Sequence, residues 1–429
     1  MMKNNVLIFA DHIVFPKGEI REGPFYVVAK NGKITKISKA ESSINSVAQC
    51  ERCDAVPCHL LAPGFVDIHN YGLGGSDDIL DYWKKPEYTC AKAVTTGTTS
   101  LLASVVFPEE RDEETRSLLK KITSRIGDKV AGAVIEGVRA EGPLIADFGG
   151  LPKSSTEYGE NEFGSLLDSM TQLKIMTISP GVASQLNYEP IKMIRQRNIL
   201  PSLGYDREAD EEAILDALSM CKDQQCHITH LFNVSTFHHR NPGLVNFGLL
   251  DNYPSQAKYA GIIPPTVEII GDMIHVHPFA VKLVLNSRNW RNIAFVTSGV
   301  GYRSQLQETI KYGGQDVKVE DDVVKRCDDD TIVGSCCSML DIFTSLTKNF
   351  DVSIGKACMM LSENPARIAK LDNVGTIEVG KDANFIMFDH NYNLTKTFVD
   401  GRMVFRTTSC KKKSVISTES IEKSVQLIM

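Results

Sequence analysis

Val134-Ile135-Glu136-Gly137-Val138-Arg139-Ala140-Glu141-Gly142-Pro143 contains an apolar, strand-like run that ends on a carboxylate. Two further runs end in the same way on imidazoles: Phe65-Val66-Asp67-Ile68-His69 and His227-Ile228-Thr229-His230-Leu231. In a parallel (β/α) barrel the C-terminal strand ends converge on one mouth, so residues far apart in sequence meet there. One carboxylate and two imidazoles suit a divalent metal such as zinc. His69, Glu141 and His230 are therefore the candidate ligands.

Around these runs, apolar strands alternate with helical stretches, the signature of a parallel sheet. The candidate strands are Phe65–His69, Ser100–Val106, Ala131–Ile135, Lys174–Ser179, Ile199–Leu203, His227–Leu231, Thr266–Ile270 and Ile293–Thr297, enough for a closed barrel. Helices are expected over Glu113–Ile126, Ala209–Cys221 and Pro278–Asn286. Both ends of the chain look different. Asn31-Gly32 and Asp400-Gly401 are hairpin turn signals between β-rich segments. The expected organisation is a (β/α)₈ barrel over residues 63–372, a small β-sandwich built from 1–62 and 373–410, and a loosely ordered tail over 411–429.

With 429 residues, 42% of them hydrophobic and 23% charged, the chain can bury a large core. A net charge of −6 provides no basic stripe, which argues against nucleic acid. No apolar run is long enough to span a bilayer, and no convincing leader opens the chain, so a cytoplasmic location is expected. The eleven cysteines are scattered rather than framed, which suits reduced thiols. Cys50, Cys53, Cys58 and His59 have the spacing that starts some zinc sites, but Cys58-His59-Leu60-Leu61 reads better as a strand with Cys as a small apolar residue. His227 alternates away from His230 and reads as a packed core residue. His238 and His277 read as solvated, and Gly72-Leu73-Gly74-Gly75 as the loop after the first barrel strand.

Several motifs in order resemble the N-acetylglucosamine-6-phosphate deacetylases of the amidohydrolase superfamily. Ala62-Pro63-Gly64-Phe65-Val66-Asp67-Ile68-His69 and Ala140-Glu141-Gly142-Pro143 resemble the first-strand and carboxylate-ligand motifs. Thr229-His230-Leu231-Phe232-Asn233, followed by His239-Arg240-Asn241-Pro242-Gly243-Leu244, is similar to the most family-specific segment. Gly271-Asp272-Met273-Ile274-His275-Val276 and Asn364-Pro365-Ala366-Arg367 continue the series. The resemblance implies hydrolysis of N-acetylglucosamine 6-phosphate to glucosamine 6-phosphate and acetate, with a divalent metal, most simply zinc, on Glu141, His230 and His69. It implies that Asn233 and Arg240 hold the sugar phosphate, that His275 contacts substrate, and that the protein is a homodimer.

The departures bear on activity. Where the family places a ligand His, Leu203-Gly204-Tyr205-Asp206 has Tyr205, and Tyr71 stands at the second position of a His-x-His pair. Where the family places its proton-transfer Asp, Phe295-Val296-Thr297-Ser298 has Ser298. A hydroxyl cannot shuttle a proton near neutral pH as a carboxylate can. Three functions follow: a deacetylase, a catalytically impaired relative that binds an amino-sugar phosphate as a sensor or regulatory partner, or a hydrolase with another substrate and a rearranged base.

Overall fold

The computed structural model describes residues 5–39, 55–108, 112–129, 132–154, 158–221, 225–301 and 310–407. Cys50, Cys53 and the expected tail lie outside the described residues. Four strands come first: β1 (Val6–Phe15), β2 (Glu19–Lys30), β3 (Lys33–Lys39) and β4 (Ala55–Pro63). Asn31 and Gly32 both take positive φ, 52° and 80°, as the β2–β3 turn demands.

Eight parallel strands follow: β5 (Phe65–Asn70), β6 (Thr98–Val106), β7 (Val134–Glu141), β8 (Leu173–Ile178), β9 (Leu200–Leu203), β10 (His227–Ile228), β11 (Thr266–Ile270) and β12 (Ile293–Val296). They pair in sequence order. The ring closes between β12 and β5 through the bonds Ser298 N to His69 O (3.0 Å) and Tyr71 N to Gly299 O (2.8 Å). Helices cover the outside, among them α1 (Asp112–Thr123), α2 (Glu211–Ser219), α3 (Pro278–Ser287) and α4 (Met339–Asn349). Because both faces are covered, the strands read as nearly continuous apolar runs.

Two strands differ from expectation. The third begins at Val134 and runs through Glu141, so the polar-looking Arg139 lies inside it. The sixth stops at Ile228, because the chain turns through positive φ at His230 (27°) and Phe232 (79°).

After the barrel strands comes an antiparallel four-stranded sheet that the sequence did not announce: β13 (Ile310–Tyr312), β14 (Gln315–Glu320), β15 (Val323–Arg326) and β16 (Ile332–Ser335). Its Tyr312, Val317 and Val324 join Tyr71, Tyr205 and Val234 in one apolar cluster. This sheet therefore packs an apolar layer against the barrel mouth.

The last strands, β17 (Phe385–Phe388), β18 (Leu394–Val399) and β19 (Arg402–Arg406), join β1–β4 in a seven-stranded sheet ordered β19-β18-β17-β4-β1-β2-β3. That sheet rolls until β3 meets the segment before β17, with Ile34 N to Lys381 O at 2.9 Å and Ala383 N to Gly32 O at 2.8 Å. It encloses its own core of Ile8, Val27, Ile34, Phe385 and Phe398, the sandwich expected from both termini. Among the described residues, no helix is long and apolar enough to cross a membrane.

Phe343 on α4 joins the two layers, stacking on Phe388 of β17 (5.0 Å) and lying 5.8 Å from Phe65 of β5. It is 1% exposed. Phe343→Ala is expected to lower unfolding stability by about 3–5 kcal/mol, read as a reduced denaturant midpoint. A change below about 1 kcal/mol would mean that the layers do not depend on this contact.

Candidate active site

The barrel brings the three candidate ligands together. His69 stands at the end of β5, Glu141 closes β7, and His230 follows β10 at a positive φ that turns its ring into the mouth. Glu141 Oε2 lies 3.9 Å from His69 Nε2 and 3.8 Å from His230 Nε2. All three side chains are essentially inaccessible.

Backbone and carboxylate acceptors fix both imidazole tautomers. His230 Nδ1 donates to Asn233 O (3.1 Å), which leaves Nε2 as a lone pair facing Glu141. His69 Nδ1 donates to Glu268 Oε1 (2.7 Å), and its Nε2 accepts from the Tyr71 hydroxyl (3.1 Å). Glu141 Oε2 and His230 Nε2 are both buried without a hydrogen-bond partner. Two acceptors left facing each other in this way ask for a cation or a proton between them.

Beneath the ligands lies a charged layer that the sequence reading missed. Arg139 on β7 and Glu268 on β11 are fully buried. The Arg139 guanidinium bridges two carboxylates, with Nη1 on Glu268 Oε2 at 2.6 Å and Nε on Glu141 Oε1 at 2.8 Å. Its Nη2 reaches Thr229 Oγ1 (2.5 Å), and Thr177 Oγ1 donates to Glu141 Oε1 (2.7 Å). Glu268 also accepts from Thr229 Oγ1 (2.8 Å), His227 Nε2 (3.1 Å) and the His230 backbone N–H (3.2 Å). The available signal was two ionisable residues, Arg139 and Glu268, within otherwise apolar strands. Their pairing joins strands 129 residues apart, which no local pattern reveals.

These contacts set the ionisation. Burial works to raise the Glu141 carboxyl, but the Arg139 charge overcomes it and holds the pKa at about 2. Glu268 is held well below the usual carboxylate range by Arg139, again against burial. Burial pushes His230 down to about 4 and lowers His227 as well.

The departures sit on the same mouth. Tyr205 packs edge-on against His230 with ring centroids 4.5 Å apart, and the Tyr71 and Tyr205 hydroxyls interact. Burial first, and neighbouring groups including Glu141, push both phenols well above 10, so both are neutral. Ser298 follows β12 at φ 49° and contributes its backbone to barrel closure. A cavity beside Tyr71 and Tyr312 measures about 30 Å³, room for a water or two.

The expected phosphate and substrate residues lie further out. Asn233 is half-buried and meets the site through its carbonyl. Arg240 is exposed on the loop after β10, where its N–H donates to His238 Nδ1 (3.3 Å). His275 is paired with Asp272, Nδ1 to Oδ2 at 2.5 Å. Neither Arg240 nor His275 touches His69, Glu141 or His230. His238 is not merely solvated, since its ring caps the Arg240–Asn241 turn, and His277 caps the start of α3.

Residues 188–404, just over half the chain, match the amidohydrolase family. The chain belongs to that family. It is 26% identical over 418 residues to an N-acetylglucosamine-6-phosphate deacetylase of Bacillus subtilis, covering 94% of this chain and 98% of that one. It is 27% identical over 427 residues to the Caenorhabditis elegans protein of the same name, covering 94% and 95%. Among solved structures it resembles the Thermotoga maritima deacetylase, with a TM-score of 0.74 at 25% identity over 94% of this chain and 100% of that one. A Mycobacterium smegmatis deacetylase mutant in complex with N-acetyl-D-glucosamine-6-phosphate has a TM-score of 0.76 at 20% identity, covering 93% and 99%.

Membership in the amidohydrolases implies a divalent metal, and the donor set meets that expectation only in part. Glu141 Oε2 and His230 Nε2 face each other as unpartnered acceptors, whereas His69 Nε2 already accepts from Tyr71, so only two of the three ligands a catalytic zinc needs are ready to bind. Tetrahedral bonds of ~2.0–2.2 Å place donors about 3.3–3.6 Å apart; Glu141 Oε2 lies slightly beyond that from each imidazole, at 3.9 and 3.8 Å, and the His69 and His230 ring centroids stand 5.9 Å apart. Arg139 already neutralises Glu141, and neutral phenols add no ligand charge. Weak, substoichiometric zinc is therefore the expected result of metal analysis. Tyr205→His is expected to raise occupancy, whereas tight one-to-one metal in chelator-washed wild type would overturn the weak-site reading.

This amidohydrolase should also lose stability stepwise on acidification after metal is chelated. A depressed folded pKa makes the unfolded state bind the extra proton, so stability is full above the unfolded value and falls with pH. The His230 contribution fades from about 6.5 down to its folded value of about 4. The Glu141 contribution follows, from about 4.3 towards about 2. Glu268→Gln leaves the buried Arg139 undercompensated and is expected to cost about 3–5 kcal/mol at neutral pH. Equal denaturant midpoints for wild type and variant at pH 7 would show that the ionic layer is not structural.

Proposed function

We propose that the barrel mouth is a deacetylase site that hydrolyses N-acetylglucosamine 6-phosphate to glucosamine 6-phosphate and acetate. The observation that carries this reading is the facing pair of unpartnered acceptors, Glu141 Oε2 and His230 Nε2. Supporting it, the chain is collinear over 94% of its length with relatives named for that reaction.

Glu141, His230 and His69 would hold the ion, with zinc the best match to two imidazoles and a carboxylate. Such an ion, when bound, polarises the acetamide carbonyl and makes water a nucleophile near neutral pH. The phosphate falls to Arg240 and Asn233, because a guanidinium fork matches phosphate oxygens and an amide adds donors. His275, held by Asp272, orients the sugar. Glu268 keeps His69 in the tautomer that presents Nε2 to the mouth, and the Asn233 carbonyl does the same for His230.

Proton transfer to the leaving amine is the weak step, since Ser298 offers no carboxylate. This same observation, together with the neutral Tyr71 and Tyr205, favours a second reading: a catalytically impaired protein that binds the amino-sugar phosphate as a sensor or regulatory partner. We place either form in the cytoplasm, a setting that suits its free cysteines. We also infer a homodimer with Arg240 near the interface, supported by Phe237 at 59% exposure on the same loop. Sedimentation showing a monomer at micromolar concentration would remove that support.

The deciding comparison is acetate release and calorimetry across variants. Asp tolerates the left-handed backbone of position 298, so Ser298→Asp with Tyr205→His should fold. It is expected to raise deacetylation by up to the general acid–base factor of roughly 10²–10⁴. Arg240→Ala should weaken sugar-phosphate binding by about 1.5–3 kcal/mol, the range for a hydrogen bond to a charged group. Wild-type turnover of roughly 1–10³ per second would eliminate the impaired reading. Neither binding nor turnover with any amino-sugar phosphate would eliminate both.

A further inference from the structure

The flanking β-sheet carries a second cluster of metal-binding side chains, separate from the barrel mouth. Its centre is His59 on β4. The parallel register of β1 and β4 pairs Ala10 with Cys58 and His12 with Leu60, which places Asp11 beside His59. Asp11 Oδ2 lies 3.3 Å from His59 Nδ1. On the other side of β4 runs β17, antiparallel, with Phe388 opposite Leu60. The turn after β17 then brings the His390 ring to within 4.1 Å of the His59 ring. One donor atom each from Asp11, His59 and His390 all lie within 4.8 Å of one another.

The cluster sits on a fixed turn, and one further observation points to a ligand. The His390 turn is built rather than loose, because Asp389 Oδ1 accepts from the Asn391 and Asn393 backbone N–H groups at 2.8 and 2.9 Å. His12 packs edge-on against His59 at 4.9 Å, and its Nδ1 is buried without a hydrogen-bond partner. Three imidazoles and a carboxylate thus gather on one patch, reached from three strands.

We propose that Asp11, His59 and His390 form a binding site for a divalent transition-metal ion, with zinc the best chemical match. Two imidazoles and a carboxylate supply three of the four ligands of a tetrahedral zinc, and water completes the set. Calcium and magnesium are poor matches, since they take oxygen-rich sets. The partly exposed position leaves a path for the ion. Bound there, the ion joins β1 and β4 near the start of the chain to the turn after β17 near its end. It acts as a clasp across the rolled sheet and stabilises the fold by mass action. Cys58 beside it packs against the core of the sheet; the recruiting residue is His59, with partners far away in sequence.

The test is zinc titration of the full chain by calorimetry, comparing wild type with Asp11→Asn and His390→Asn. Asp11 and His390 are exposed, so both variants should keep the wild-type circular dichroism spectrum. Wild type is expected to bind one more equivalent than either variant, or to bind that equivalent at least about tenfold more tightly, the low end of what even outer-shell changes cost. Zinc should also raise the wild-type melting temperature by more than it raises that of the variants. Cobalt should give the intense visible absorption of a tetrahedral site in wild type and lose it in His390→Asn. Identical stoichiometry, affinity and cobalt spectra in all three proteins would overturn the proposal. Acetate release is expected to be unchanged by either substitution, so this outcome stands apart from the reading of the barrel mouth.

Discussion

The Arg139–Glu268 ion pair is the constraint on which the barrel interior depends. Two opposite charges held 2.6 Å apart with no access to water are costly to desolvate and strongly coupled once buried. Neither can be left alone. Glu268 therefore gathers donors from β5, β7 and the β10 region, and Arg139 gathers acceptors from β7, β11 and the residue after β10. The ligand side chains are the outer members of this network. His69 is oriented by Glu268, Glu141 by Arg139 and Thr177, and the His230 backbone by Glu268.

The same arrangement limits what the mouth can do. A guanidinium on Glu141 Oε1 supplies part of the positive charge that a divalent ion would bring to Oε2. The network thus stabilises a carboxylate that is permanently ionised and well placed, while reducing its attraction for a second cation. Tyr205 against His230 and Tyr71 on His69 Nε2 add desolvated, neutral groups where negative or imidazole ligands would strengthen binding. Residues of β13–β16 pack with these tyrosines in one apolar cluster, which keeps their rings desolvated.

Much of the barrel is legible because its strands are apolar runs at regular spacing, and both hairpins because Asn31-Gly32 and Asp400-Gly401 have turn chemistry that few other pairs share. The candidate ligands are legible from position, at strand ends. Less visible are features set by long-range packing. Pattern alone places β7 too early because Arg139 interrupts its apolar run, and only Glu268 on β11 makes that residue acceptable inside. It draws β10 too long because the positive φ at His230 follows from the mouth geometry rather than from local propensity. The β13–β16 sheet escapes notice because its strands are short and charged on one face, as in Lys318, Glu320 and Lys325. The Asp11–His59–His390 cluster is hidden for the same reason as Arg139–Glu268: register, not spacing, brings it together.

The mouth also explains how the fold can be plain while the chemistry is not. The bonds that close the barrel use the backbones of His69, Tyr71, Ser298 and Gly299. Tyr205 likewise serves the fold through its carbonyl, which accepts from Ser179 Oγ (2.8 Å) and from Asp147 N (3.0 Å). The structural role of positions 298 and 205 is thus carried by main-chain atoms that any residue able to take a positive φ supplies. Their side chains take no part in the bonds that close the ring, although Tyr205 also packs in the apolar cluster at the mouth. Position 139 has no such freedom, because its side chain compensates two buried carboxylates. The departures in this chain fall at strand ends, where main-chain bonds carry the closure of the ring, whereas the ionic layer beneath them depends on side chains that compensate buried charge.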